Sequence, residues 1–282
     1  MYLKHFGLAE FPFGLTPDTS FFFASNVYQE ALNTLLVAVA GGEGFIKLTG
    51  EVGTGKTLLC RKFMAALDKR FYTAYLPNPL LEPRTLLLAL AEELKIDVPP
   101  DVDQHYLLRS INHRLLDITR GGQRVVLCID EAQAIPIETL EALRLLTNLE
   151  TEKRKLLQIV LFGQPELDVR LADPTIRQLR QRISFHYEMR SLAREDIAYY
   201  LAHRLHVAGY AGGPLFRKPA LTALHAASGG VPRLVNMLGH KCLMAVYGEG
   251  GHQVKLRHVL AAAEDTVAAR RPGWWVRMGL AR

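Results

Sequence analysis

The chain has 282 residues, 49% of them apolar and 22% charged, with a formal net charge of +6. That composition excludes an intrinsically disordered chain, and the longest apolar runs, such as Leu86–Leu90, fall far short of the ~20 residues that span a bilayer. The length allows one large or two modest domains, and the positive balance hints at an acidic partner, nucleic acid or anionic lipid.

An aromatic stretch comes first, with Phe6, Phe11, Phe13 and Phe21–Phe23 punctuated by Pro12 and Pro17. It suits an extended strap on a core better than a helix. Residues 26–40 have helical periodicity and end on Gly41 and Gly42. Apolar β-like runs then alternate with helical segments. The runs are 45–49, 71–76, 125–129, 158–162 and 183–187; the helices are 58–67, 85–94, 106–119 and 140–149. Strands separated by helices imply βαβ crossovers, hence an α/β fold with a parallel sheet sandwiched by helices. The continuous apolar run 125–129 suits a central strand buried on both faces.

From Ser191 the β signal stops, and residues 192–207, 219–227, 231–247 and 255–269 read as helices. The expected division is an α/β domain with its strap over 1–190, an all-helical lid over 191–267 and a basic tail over 268–282. The first 190 residues are nearly neutral, so the basic excess lies in lid and tail.

Gly50-Glu51-Val52-Gly53-Thr54-Gly55-Lys56-Thr57 meets the phosphate-loop pattern G-x-x-x-x-G-K-[ST] at every specified position, with a strand before it and a helix after it. Such a loop cradles phosphate oxygens on backbone amides at a helix N-terminus. Lys56 then reaches the β- and γ-phosphates of ATP, and the Thr57 hydroxyl binds Mg2+. The run Val125–Ile129 leads into Asp130 and Glu131, carboxylates at the C-terminal edge of a parallel sheet, where ligands bind. Asp130 is expected in the Mg2+ shell and Glu131 as the group that polarises the attacking water, which favours hydrolysis over nucleotide holding.

These motifs, with CIDEAQ (128–133), FGQPEL (162–167), LRQRI (179–183) and GGVPRLVN (229–236), resemble the AAA+ ATPases of bacterial secretion and pilus systems. The similarity is to the general secretion pathway protein A and MSHA-pilus biogenesis protein M group, and the opening residues 6–23 are similar to that group's N-terminal signature. The resemblance places Gln164 at sensor 1, where many AAA+ proteins carry Asn; on the residues alone it is equally a turn residue before Pro165. Arg182 becomes the arginine finger that enters a neighbouring subunit's site, with Arg180 the alternate, and a basic solvated turn describes at least one of the two. Arg233 becomes sensor 2, coupling nucleotide state to the angle between the domains. By analogy the strap packs near the adenine, although core packing explains each Phe equally well.

The resemblance implies an ATP-hydrolysing homo-oligomer, a ring, that assembles an envelope machine: a type IV (MSHA-like) pilus or a type II secretion apparatus. The sequence ends before the transmembrane and peptidoglycan-binding segments of some relatives, which favours the pilus branch. The rival is a DNA-binding AAA+ ATPase of the transposition target-selection type. No helix-turn-helix extension is recognisable after the lid, so nucleic acid is the less favoured partner.

The tail sets Trp274 and Trp275 among four arginines. It fits a membrane surface, a protein-docking peptide or packing on the lid. The N-terminus lacks a secretory apolar core. Cys60, Cys128 and Cys242 are widely spaced and odd in number, suiting neither a disulfide framework nor a zinc site. The expected location is therefore the reducing cytoplasm, with peripheral contact at the inner membrane. No histidine spacing points to a metal, and His203 with His206 lacks further ligands.

Overall fold

A computed structural model describes residues 2–77, 80–99, 101–148 and 155–271. The Trp-containing part of the tail, 272–282, therefore lies outside the described residues. In chain order the elements are α1 (Leu3–Phe6), α2 (Asn26–Gly41), β1 (Phe45–Gly50), α3 (Lys56–Ala66), β2 (Phe71–Leu76), α4 (Pro83–Glu93), α5 (Gln104–Arg120) and β3 (Arg124–Ile129). There follow α6 (Ile137–Leu146), β4 (Leu157–Gly163), α7 (Glu166–Leu171), α8 (Arg177–Arg182) and β5 (Ile183–Met189). The last are α9 (Asp196–Val207), α10 (Lys218–Ser228), α11 (Pro232–Gly248) and α12 (Leu256–Glu264). No helix among the described residues is long and apolar enough to cross a membrane.

The chain forms two compact units, Gln29–Gly50 with Lys56–Met189, and Met1–Tyr28 with Glu51–Gly55 and Arg190–Arg282. The first holds a five-stranded sheet in the order β2-β3-β4-β1-β5, and every pairing is parallel. β1 and β4 are buried along their whole length, as inner strands of a parallel sheet covered on both faces are; Nε2 of the buried Gln158 donates to Glu43 O at 2.9 Å. β3 lies inside the sheet, with Val125↔Leu157 setting its register on β4. Leu107, Ile111, Leu115 and Ile118 of α5 recur at helical spacing and are buried in the core with Val125, Leu127 and Ile129. Full burial of each such side chain contributes about 1.5–3 kcal/mol. Asp103 starts α5 by accepting from the His105 and Tyr106 N–H groups at 2.9 and 3.2 Å.

The helical unit corrects the expected placement of the strap. Residues up to Tyr28 belong with α9–α12, not with the sheet. Arg204 of α9, only 7% exposed, is the reason: its Nε donates to Pro12 O at 2.5 Å and its Nη2 to Gly14 O at 3.4 Å. The guanidinium carbon also stands 4.6 Å over the Phe21 ring, so a buried charge is compensated by carbonyl dipoles and a π face. Phe13 packs edge-on to Phe216, with centroids 6.2 Å apart, and the Tyr2 hydroxyl shares a 2.9 Å hydrogen bond with His240 Nδ1.

Candidate functional site

Within the sheet unit, β1 runs out at Gly50 and the chain re-enters at Lys56, the first residue of α3. Lys56 is buried, and its Nζ donates to Gly50 O at 2.8 Å, which lays the ammonium along the end of the strand. Thr57 follows at the helix N-terminus, where free N–H groups and the dipole favour anions. Asp130 continues β3, its N–H donating to Leu76 O at 3.0 Å, and it is only 2% exposed. Burial pushes its carboxyl above the ordinary carboxylate range. Hydrogen bonds from the Thr57 hydroxyl and the Glu131 N–H oppose the shift, the Glu131 charge adds to it, and Lys56 counters it. A buried carboxylate touching a hydroxyl is a hard-oxygen donor pair, and a divalent cation there would restore the solvation that folding removed. The residues present therefore fit Mg2+.

Glu131 adopts left-handed backbone, φ 51°. A non-glycine residue there costs roughly 1–2 kcal/mol, so surrounding structure must hold it. The side chain is held as well: its Oε2 accepts from Gln133 Nε2 at 2.6 Å and from Gln164 Nε2 at 3.1 Å. Gln133 Oε1 in turn accepts from the Gln164 N–H at 2.9 Å. The structure brings Lys56, Thr57, Asp130, Glu131 and Gln164 to the C-terminal edge of β1, β3 and β4. Gln133 is the member that sequence reasoning missed. Its only local signal is a position two residues after Glu131, whereas its anchor lies thirty-one positions further along the chain.

The loop tip Glu51–Gly55 belongs to the helical unit. Thr54 turns back on itself, its hydroxyl donating to Glu51 O at 2.8 Å. The buried Tyr28 hydroxyl donates to Thr54 O, and burial pushes that phenol well above its ordinary range. Gly55 has φ +95°, and a Cβ there would run into the Tyr28 hydroxyl. Gly53 has φ +80° and faces the start of α11: the Arg233 N–H donates to Gly53 O at 3.1 Å. Glu51 and Val52 are exposed, as is the Arg233 side chain. Tyr28 was also missed, since nothing in its local sequence separates it from any aromatic residue in a helix.

The two arginines of LRQRI differ in their surroundings. Arg182, at the end of α8, is half-buried, and its Nη1 donates to Thr147 Oγ1 at 3.0 Å and Arg144 O at 3.3 Å within the same chain. Arg180 is exposed, and its side chain has no hydrogen bond or ion pair among the described residues. The strap aromatics expected near the adenine pack inside the helical unit, Phe22 on Tyr28 and Phe23 on Tyr200. The three cysteines are buried and free.

A phosphate loop after the first strand, paired acids after the third, a polar residue after the fourth and a following helical unit define an AAA+ protein, and the chain belongs to that group. Residues 39–171 match the family model described as an AAA domain. Over 275 residues the chain is 41% identical to general secretion pathway protein A of Aeromonas hydrophila, covering 98% of this chain and 50% of that protein. It therefore spans about half the length of that curated relative. Among solved structures it is similar to Cdc6p from Pyrobaculum aerophilum, with a TM-score of 0.66, 19% identity and 88% of this chain aligned to 71% of that one. It is also similar to the Aeropyrum pernix ORC2 protein in ADPNP-ADP complexes, with a TM-score of 0.64, 15% identity and coverages of 89% and 72%. At those identities the likeness is one of fold.

Proposed function

We propose that the protein hydrolyses ATP as a homo-oligomer and serves in the assembly of a bacterial envelope machine, a type II secretion apparatus or a type IV (MSHA-like) pilus. The observation that carries the hydrolytic reading is Glu131, held at the mouth of β3 between the Asp130–Thr57 pair and Gln164. The ATP phosphates rest on the Gly50–Thr57 amides, with the Lys56 ammonium against the β- and γ-oxygens. Thr57 and Asp130 would hold Mg2+, which when bound would neutralise charge on those phosphates. Glu131 accepts a proton from water as the water oxygen bonds to the γ-phosphorus and the bridge to the β-phosphate breaks, releasing ADP and phosphate. The Gln164 amide has a second N–H with which to orient that water or the γ-phosphate. Arg233 reads the phosphates from α11, a role supported by the bond of its backbone to Gly53. Arg180, exposed where Arg182 is engaged, is the better finger toward a neighbouring subunit. The envelope role rests on the relative's identity.

Steady-state ATPase measured against protein concentration tests this. The rate per subunit should rise with concentration, collapse in Glu131→Gln and fall in Arg180→Ala more than in Arg182→Ala. A rate flat across the monomer range, or one untouched by Glu131→Gln, refutes the intersubunit hydrolysis. Stimulation by duplex DNA that weakens steeply with salt would replace the envelope reading with the DNA-binding one.

A further inference from the structure

We propose that Gln133 is a positioning residue for hydrolysis, an amide tie that aims the Glu131 carboxylate at the attacking water from an anchor on the end of β4. The proposal rests on the reading of Glu131 as the base. Gln133 lies in the single 3-10 turn Ala132–Ala134 that directly follows Glu131. Its carbonyl oxygen takes the Gln164 main-chain N–H at 2.9 Å, and its amide nitrogen gives a hydrogen bond to Glu131 Oε2 at 2.6 Å. The tie has one sense only. Reversing the amide would set NH2 against the Gln164 N–H and the carbonyl against a carboxylate, exchanging two attractions for two repulsions.

The end of β4 is shaped for this approach. A Cβ on Gly163 would lie 2.8 Å from Leu167 Cδ2, 3.2 Å from Leu167 Cβ and 3.5 Å from the Gln133 backbone nitrogen. Glycine just before Gln164 thus lets the strand end close on the turn that carries Gln133.

Both donors, Gln133 and Gln164, converge on the same oxygen of Glu131. Oε1 has no hydrogen bond among the described residues. One oxygen is therefore pinned and the other left open, the asymmetry a base needs to hold its direction and still accept a proton. Glu131 sits on a left-handed backbone, which cannot by itself select a rotamer for a side chain with three rotatable bonds. Gln133 supplies the missing constraint. It also makes the aim of the base depend on where Gln164 stands, so a phosphate that draws on the Gln164 side chain is sensed at Glu131 through the same main-chain anchor.

The test compares Gln133→Ala, Gln133→Glu and Glu131→Gln, each in the full chain, by kcat, KM for ATP and affinity for a fluorescent non-hydrolysable ATP analogue. Gln133→Ala should lower kcat by about 10–100-fold, the cost of a misplaced reacting group, with KM and analogue affinity within about twofold of wild type. Gln133→Glu keeps the size and the acceptor for Gln164 but faces Glu131 with a like charge, so kcat should fall at least as far. Because the tie acts only through Glu131, adding Gln133→Ala to Glu131→Gln should not lower the residual rate further. An unchanged kcat in Gln133→Ala beside an inactive Glu131→Gln overturns this proposal alone, as does loss of analogue affinity in step with kcat or an additive double variant. A fully active Glu131→Gln removes the base reading, and this proposal with it.

Discussion

Gly53→Ala separates backbone strain from packing at the phosphate loop. At φ +80° any L residue costs roughly 1–2 kcal/mol. The new methyl would also lie 2.5 Å from Arg233 Cβ, 3.2 Å from Arg233 Cδ and 3.3 Å from Val231 Cγ1. The Cδ contact can swing aside. The Cβ contact cannot, because the Arg233 N–H is bonded to Gly53 O at 3.1 Å, so relief means stretching or losing that bond. A lost hydrogen bond adds about 0.5–1.5 kcal/mol, for a total near 2–3 kcal/mol. Gly122, in the turn after α5, is the control: its φ is +85°, and a Cβ there meets nothing within 4 Å. Gly122→Ala should therefore show only the backbone cost. Urea unfolding of both variants, followed by fluorescence, should place Gly53→Ala below Gly122→Ala by about 1 kcal/mol. Titration with an ATP analogue should show weakened binding in Gly53→Ala alone. Equal stabilities, or a Gly53→Ala protein that binds nucleotide normally, would refute the packing of the loop against α11.

Two other expectations follow from buried or paired groups. Cys60 and Cys242 are fully buried and burial pushes both thiols up, Cys242 to about 12. With Cys128 equally enclosed, a disulfide-exchange reagent should label none of the three quickly in the folded protein and all of them after unfolding; one rapidly reacting thiol in the native state would contradict this. In the helical unit, hydrogen bonds from Arg257 and then His258 hold Glu249 down at about 2. His258 Nδ1 accepts from the Lys255 N–H, leaving Nε2 to carry the proton toward Glu249. A lowered carboxylate stabilises above its unfolded value and loses that contribution as pH falls toward its folded one. The stability difference between wild type and Glu249→Gln should hold at neutral pH, shrink between about 4.5 and 2, and diminish in salt because the pair is exposed. A difference that grows on acidification would contradict it.

Much of this protein is legible in local patterns. Apolar runs such as Val125–Ile129 mark strands because two-sided burial strongly favours apolar side chains, the buried exceptions Lys47 and Gln158 each having polar partners. The loop Gly50–Thr57 is readable because its chemistry depends on residue types at fixed spacing. Asp130 and Glu131 are readable because a strand must deliver them together to the sheet edge.

The rest depended on which distant segments meet. Gln133 and Tyr28 become site residues only through Gln164 N–H and Thr54 O, contacts that no local periodicity encodes. Arg204 has the sequence of an ordinary helical arginine, yet buried among strap carbonyls it assigns the first twenty-eight residues to the helical unit. Arg180 and Arg182 look alike in LRQRI, and only the packing of α8 near Thr147 engages one and leaves the other exposed. Composition, periodicity and motif spacing thus determined the fold class and marked the phosphate-loop motif, which depend on each residue's near neighbours. Long-range packing decided which side chains aim, anchor or stay open, because hydrogen-bond partners and burial exist only once the chain has folded.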